Sequence, residues 1–331
     1  GGGREEGERP PPGGGAADLH TKKAAMLRSA AAEPPRVLAD RPVCRRSVLL
    51  AGLGNYTHPH TRHSIGQCVL PPLLERAAAH DRALRSDLVR RVARRGDAAH
   101  YEVPAPVRTS SPFEYVPAAR GWLAHVSFLL DTAPPRGSAV WARGGVPLDA
   151  FAYALVDAVV YIPKLLMNVS GKGVHAAAAL YPDVRVPQDV LLLHDEMARP
   201  FGKVSFKGGG SAGGHNGVRS VQSQLRARGE RTGEPEVPRV RIGIGRPTDD
   251  REVTAWVLGE MPSGWLTACG LPAPGELASD SMSADAGRPG EVADKVWSEV
   301  LAWCTRGVEA PPAAEPPPAA GTPAAPGPQQ P

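Results

Sequence analysis

Two short runs, Val48-Leu49-Leu50-Ala51 and Val190-Leu191-Leu192-Leu193, hold apolar side chains at consecutive positions. A strand with one wet face alternates polar and apolar residues, so runs without alternation read as strands covered on both faces. The first ends in Gly52, a tight-turn signal, and the second lacks any wet position and belongs at the centre of a sheet. Residues 156–162 and 240–244 have the same β-branched character, and Pro163 ends the former. Residues 204–207 alternate, as a strand with one exposed face does. Between these runs lie helical patterns. Ile65, Val69, Leu73 and Leu74 form one, in which Pro71 and Pro72 predict a kink or an end. Residues 81–95 read as a basic helix and 173–180 as an alanine-rich one. Val218, Val221 and Leu225 form a helix that turns Arg219 and Arg226 outward, and Val292, Val296, Val300 and Leu301 form one bearing Trp297 and Trp303. Strands mixed with helices in this rhythm define a layered α/β domain with a largely buried sheet.

The chain has 331 residues, but many of its 37 glycines and 36 prolines sit in tails that cannot offset their ordering entropy by burying apolar surface. Residues 1–46 are predicted to be a disordered or targeting extension. The arginine- and alanine-rich stretch 26–46 has the composition of an organellar transit peptide. Residues 47–262 form the main domain, and 101–150, without a clear period, read as an insertion or long loop. Residues 263–306 are a linker and an amphipathic helix, and 307–331 a disordered Pro/Ala-rich tail.

Charge narrows the class of partner. Net charge is +4, yet between residues 203 and 251 ten basic residues face five acids. Basic residues interleaved with strand and helix signals suit a polyanion. Four cysteines without a C-x-x-C pair argue against a zinc knuckle or disulfide framework and fit a reducing compartment. No apolar run reaches the length of a membrane span.

The chemistry-bearing residues gather at predicted strand ends and turns. His63 follows Thr61-Arg62 in a polar loop, where an imidazole could take a proton from water if a carboxylate held its tautomer. Asp195, in Leu192-Leu193-His194-Asp195-Glu196, is the candidate carboxylate. Glu196 could equally be the partner; the shorter aspartate gives the stiffer hydrogen bond. Asn55, Asn168 and Asn216 each stand beside glycine or Ser-Gly, and a carboxamide can orient an ester carbonyl or stabilise an oxyanion. The run Gly208-Gly209-Gly210-Ser211-Ala212-Gly213-Gly214 is no dinucleotide fingerprint; it reads as a turn whose backbone N–H groups approach a ligand. His58, His60 and His63 are spaced like metal ligands but lack an acidic partner in that loop. No Gly-x-Ser-x-Gly elbow supports a serine nucleophile.

These islands resemble the bacterial-type peptidyl-tRNA hydrolases. Six motifs stand in family order: Gly52-Leu53-Gly54-Asn55, Thr61-Arg62-His63-Ser64, Met167-Asn168-Val169-Ser170-Gly171, His194-Asp195-Glu196, Gly213-Gly214-His215-Asn216-Gly217 and Arg241-Ile242-Gly243-Ile244-Gly245. The resemblance implies a monomeric three-layer α/β/α globule with a mixed, mostly parallel central sheet, acting on peptidyl-tRNA without metal or cofactor. It implies His63 as catalytic base and Asp195 as the acid that orients it. Asn55, Asn168 and Asn216 match the substrate-binding asparagines, Met167 an apolar wall, and Lys207 and Arg241 a basic pair that grips tRNA phosphate. The chain departs from the family pattern at Tyr56-Thr57, where Pro-Gly is usual, and at Pro71-Pro72, where the helix is unbroken. Its 63–168 stretch is also longer than usual. The expected function is hydrolysis of the ester joining peptide to tRNA, away from any membrane, in the cytoplasm or alternatively in a mitochondrion or plastid. The alternatives are a non-catalytic RNA-binding protein of the splicing-factor type on the same scaffold, and a metal-dependent hydrolase using the histidine cluster.

Overall fold

The computed structural model describes residues 44–95, 111–131, 153–226, 236–272 and 288–306. Seven strands form one sheet: β1 (Cys44–Gly52), β2 (Glu114–Val116), β3 (Gly121–Asp131), β4 (Tyr153–Pro163), β5 (Val190–Glu196), β6 (Val204–Lys207) and β7 (Arg239–Gly243). Their order across the sheet is β2-β3-β4-β1-β5-β7-β6. The contiguous core β4-β1-β5-β7 is parallel, while β2/β3, β3/β4 and β6/β7 pair antiparallel. The sheet is therefore mixed and mostly parallel, as the resemblance implied.

Helices cover both faces. The short α1 (Ile65–Cys68), the long α2 (Leu70–Arg95), α6 (Ser263–Ala268) and α7 (Glu291–Arg306) supply one core with Val48, Leu50, Leu191 and Leu193. Helices α3 (Ser170–Ala179) and α4 (Asn216–Leu225) cover the other face, meeting Leu49, Ala51, Val190 and Leu192. The short α5 (Val253–Leu258), fifth in chain order, lies beside the turn at Arg62. Alternate residues of each central strand thus enter different cores, which is why those strands read as uninterrupted apolar runs. Each Leu or Val so buried contributes roughly 1.5–3 kcal/mol relative to exposure. Among the described residues no helix is long and apolar enough to cross a membrane.

Three expectations need correction. Within the stretch read as an aperiodic loop, β3 runs for 11 residues and pairs along its whole length with β4. Ala124, Val126, Phe128 and Leu130 enter one core and Leu123 the other, so the strand shows no alternation. Its polar positions are satisfied: Ser127 donates to Asp157, and His125 bonds Tyr181. Residues 101–110 and 132–152 lie outside the described residues. Second, the helix break falls at Val69, between α1 and α2, and Pro71 and Pro72 sit in the first turn of α2. First-turn N–H groups have no intrahelical acceptor, so proline there forfeits nothing. Third, β1 opens at Cys44 rather than Ser47, taking in Arg45 and Arg46 from the stretch with transit-peptide composition. Arg46 is buried because Asp189 and the carbonyls of Trp303 and Cys304 hold its guanidinium. The readings of residues 1–43 and 307–331 fall outside the described residues.

Candidate active site

The carboxyl ends of the parallel strands carry the candidate residues, the edge where open α/β sheets bind ligands. After β1 the chain turns through Asn55 and reaches His63 on a single 3-10 turn, Arg62–Ser64. Polar side chains fix that approach. Ser64 Oγ donates to His58 O at 2.7 Å and accepts from Asn55 N at 3.0 Å, and Thr61 Oγ1 donates to the same His58 carbonyl at 2.9 Å. On the other side, Arg62 N donates to Gly259 O at 3.0 Å, and the Arg62 guanidinium lies 4.2 Å from the centre of the Trp256 ring. His63 is clamped from both sides.

Asp195, near the end of β5, is 2 % exposed. His63 Nδ1 lies 2.8 Å from its Oδ1, so residues 132 positions apart meet as expected. Burial alone would raise the affinity of this carboxyl for a proton. The interactions with His215 and then His63, each of which donates an N–H to it, outweigh that penalty and hold Asp195 well below the usual carboxylate range. An ionised Asp195 accepts, so the His63 proton sits on Nδ1. Nε2, which has no partner among the described residues, keeps the lone pair that can take a proton. Glu196 is engaged elsewhere, accepting from Ala198 N at 3.1 Å and facing Arg241 at 3.7 Å.

The sequence reading passed over His215. Its Nε2 lies 2.9 Å from the same Asp195 oxygen, and its Nδ1 accepts from Val218 N at 3.2 Å as the N-cap of α4. One signal was available: a histidine placed directly before the 218-221-225 apolar pattern, at a cap position where a side-chain acceptor is favoured. His194 packs edge-on to His215 at 4.6 Å and donates Nδ1–H to the Asp195 carbonyl at 2.7 Å. Burial, with the neighbouring His215, keeps His194 uncharged far below the ordinary histidine range.

The substrate candidates divide by exposure. Asn55 is buried and its Oδ1 accepts from Met167 N at 2.7 Å, so its NH₂ group remains as a donor. Met167 is buried in the α3/α4 core, and a Cβ at Gly217 would run into its sulfur. Asn168 and Asn216 are exposed, the former in the 3-10 turn Met167–Val169 that leads into α3 and the latter at the first position of α4. They line an open groove of about 310 Å³ together with Lys172, Arg219, Ser220 and Ser223. Its two cations have no carboxylate partner among the described residues. The glycine turn adopts left-handed conformations at Gly210, Gly213 and Gly214.

The basic residues do not all face solvent. Arg239 is 2 % exposed and donates to the carbonyls of Gly210 and Ser211, so it braces the glycine turn. Arg246 and Arg251 pair with Asp250 and Asp249, and residues 228 and 231 lie outside the described set. Lys207 and Arg241 remain half-exposed. Lys207 is registered opposite Arg239, two positions from Arg241, which puts all three on one face of the sheet. Burial, then the charges of Arg239 and Arg241, lower the Lys207 pKa.

His63, Asp195 and His215, not the His58/His60/His63 set, form a group whose ligand-type atoms lie within 4.8 Å of one another. Those atoms already bond each other. His215 could offer Nε2 to a metal only by moving its proton to Nδ1 and abandoning Val218 N–H. The donor set fits a hydrogen-bonded relay better than a metal centre.

Fold and site together define an α/β/α protein with a carboxylate-oriented histidine at the carboxyl edge of its sheet. A family model described as peptidyl-tRNA hydrolase matches residues 147–266. A probable peptidyl-tRNA hydrolase of Mus musculus is 32 % identical over 212 residues, 64 % of this chain and 72 % of that protein. The peptidyl-tRNA hydrolase of Yersinia enterocolitica is 41 % identical over 111 residues, 34 % of this chain. The chain spans 52 % of the length of this bacterial relative and 51 % of that from Proteus mirabilis. A crystal structure of peptidyl-tRNA hydrolase from Acinetobacter baumannii superposes with TM-score 0.42 and 22 % identity, covering 67 % of this chain and 80 % of that one. The chain belongs to the peptidyl-tRNA hydrolase family.

Proposed function

We propose that the chain hydrolyses the ester between a peptide and the terminal ribose of tRNA, acting as a single chain and without a metal ion. The observation that carries this reading is the 2.8 Å hydrogen bond from His63 Nδ1 to buried, ionised Asp195. It leaves Nε2 as a proton acceptor. Nε2 takes a proton from water as the oxygen attacks the ester carbonyl, and Asp195 stabilises the imidazolium that forms. The tetrahedral oxyanion collapses, the ribose oxygen leaves, and the imidazolium returns its proton to that oxygen. The Asn55 NH₂ group and the exposed carboxamides of Asn168 and Asn216 are donors suited to the carbonyl and its developing charge. All these groups come from one chain.

Lys207 and Arg241 take tRNA phosphates, and Lys172 and Arg219 offer their charge to further phosphates along the groove between α3 and α4. Phosphate contacts of this kind give affinity that falls with salt and little sequence preference.

The test is release of N-blocked amino acid from an N-blocked aminoacyl-tRNA. Wild-type protein is expected to turn over with or without EDTA. His63→Ala is expected to lose about 10³-fold or more in kcat while still binding tRNA. Wild-type protein that binds tRNA but releases nothing would support a non-catalytic RNA-binding role instead, and loss of turnover in EDTA a metal-dependent one.

A further inference from the structure

We infer that His215 is a positioning residue that locks the catalytic pair to the helix presenting Asn216; this rests on the hydrolase reading above. The imidazole has both nitrogens committed. Val218 N–H points at Nδ1, which must therefore carry the lone pair, and the ring proton sits on Nε2, aimed at Asp195 Oδ1. The edge of the His194 ring holds the imidazole from the side. Asp195 Oδ1 thus receives two N–H groups, one from His63 and one from His215.

Two consequences follow from that shared oxygen. A carboxylate gripped by a single imidazole can pivot about its last bond and carry the base with it. A second donor on the same atom removes that freedom, and the His63 ring inherits the fixed direction. The grip also comes from the N-cap of α4, and the next residue is Asn216, at the first position of that helix. One ring therefore sets the distance between the proton acceptor and a candidate substrate amide. Angstrom-scale errors in such a distance can cost as much as about 100-fold in rate.

Two substitutions separate the halves of this ring. Asn places an oxygen near the Nδ1 position and is a favoured N-cap, so His215→Asn keeps the start of α4 but loses the donor to Asp195. Gln reaches the Nε2 position with an N–H group, so His215→Gln keeps the donor but caps poorly. His215→Asn is expected to lose about tenfold or more in kcat, with KM and thermal midpoint near wild type. His215→Gln is expected to retain most of kcat, with a raised KM and a lower midpoint. The assignment is overturned if His215→Asn keeps the wild-type kcat, or if kcat falls equally in both variants. The same contrast is readable without turnover, which keeps it distinct from the hydrolase reading. The downfield Nδ1–H proton resonance of His63 should persist in His215→Gln and shift in His215→Asn. Identical spectra for the two variants would overturn the linkage, whereas an inactive wild-type protein would overturn only the hydrolase reading.

Discussion

Around Asp195, one buried oxygen takes hydrogen bonds from two rings, and each ring is itself fixed by backbone or by a packed neighbour. Around Lys172 and Arg219, two cations line an open groove with no carboxylate among the described residues to hold them. Lys207 stands between these extremes, donating to the Ser211 carbonyl and repelled by the charges of Arg239 and Arg241. The difference teaches how one surface can serve two purposes. Proton transfer needs groups already aimed before substrate arrives, because reorganisation at the moment of reaction adds to the barrier. Capture of a polyanion needs unneutralised charge, and a preformed salt bridge would cancel it.

That contrast can be broken most sharply at Asp195. Asp195→Asn leaves the shape but presents an amide that cannot hold the His63 tautomer in the same way. It is expected to cut kcat by about 10³-fold or more, with tRNA affinity unchanged. Single-turnover rates beside filter-binding affinities would decide, and a variant that lost affinity as well would erase the division between the two regions.

The rim gives a smaller and different signature. Lys207→Glu is expected to weaken tRNA binding by about tenfold at low salt and to flatten the log–log salt dependence by one to two units, leaving kcat at saturation intact. An unchanged salt slope would remove Lys207 from the phosphate contacts.

The smallest effect sharpens the interior side. Because the folded-state carboxyl of Asp195 is depressed, its contribution to stability is complete above the unfolded value of about 4 and is lost as pH falls from there through the folded value. The difference in thermal midpoint between wild type and Asp195→Asn should therefore not narrow until the pH drops below about 4. Narrowing between pH 7 and 5 would show that the carboxylate is not held as described.

The comparison also marks what could be read from the chain. Asp195 and His63 were legible because each ends a recognisable run, an apolar strand in one case and a polar loop after a strand in the other. The central strands were legible for the same reason. Strand β3 was not, because Ser127 and His125 interrupt its apolar run without setting up an alternation, and both read as loop residues until their partners on β4 and beyond α3 are known. Arg239 counts as surface charge in a sequence and becomes a buried brace only when the glycine turn folds over it. The second role of His215 was hidden for a related reason. A histidine before a helix is an ordinary cap until a carboxylate 20 residues earlier is placed against its other nitrogen.

Arg46 ties β1 to α7, donating to Trp303 O at 3.1 Å and Cys304 O at 2.7 Å across more than 250 positions. During synthesis the chain emerges from its amino end, so this guanidinium waits for nearly all of the described sequence before its acceptors exist. Until α7 arrives, that charge has Asp189 but neither of these carbonyls to receive it, and burying it costs correspondingly more. A nascent chain stopped short of residue 303 should therefore bury β1 less firmly, which makes α7 the latch of the described fold.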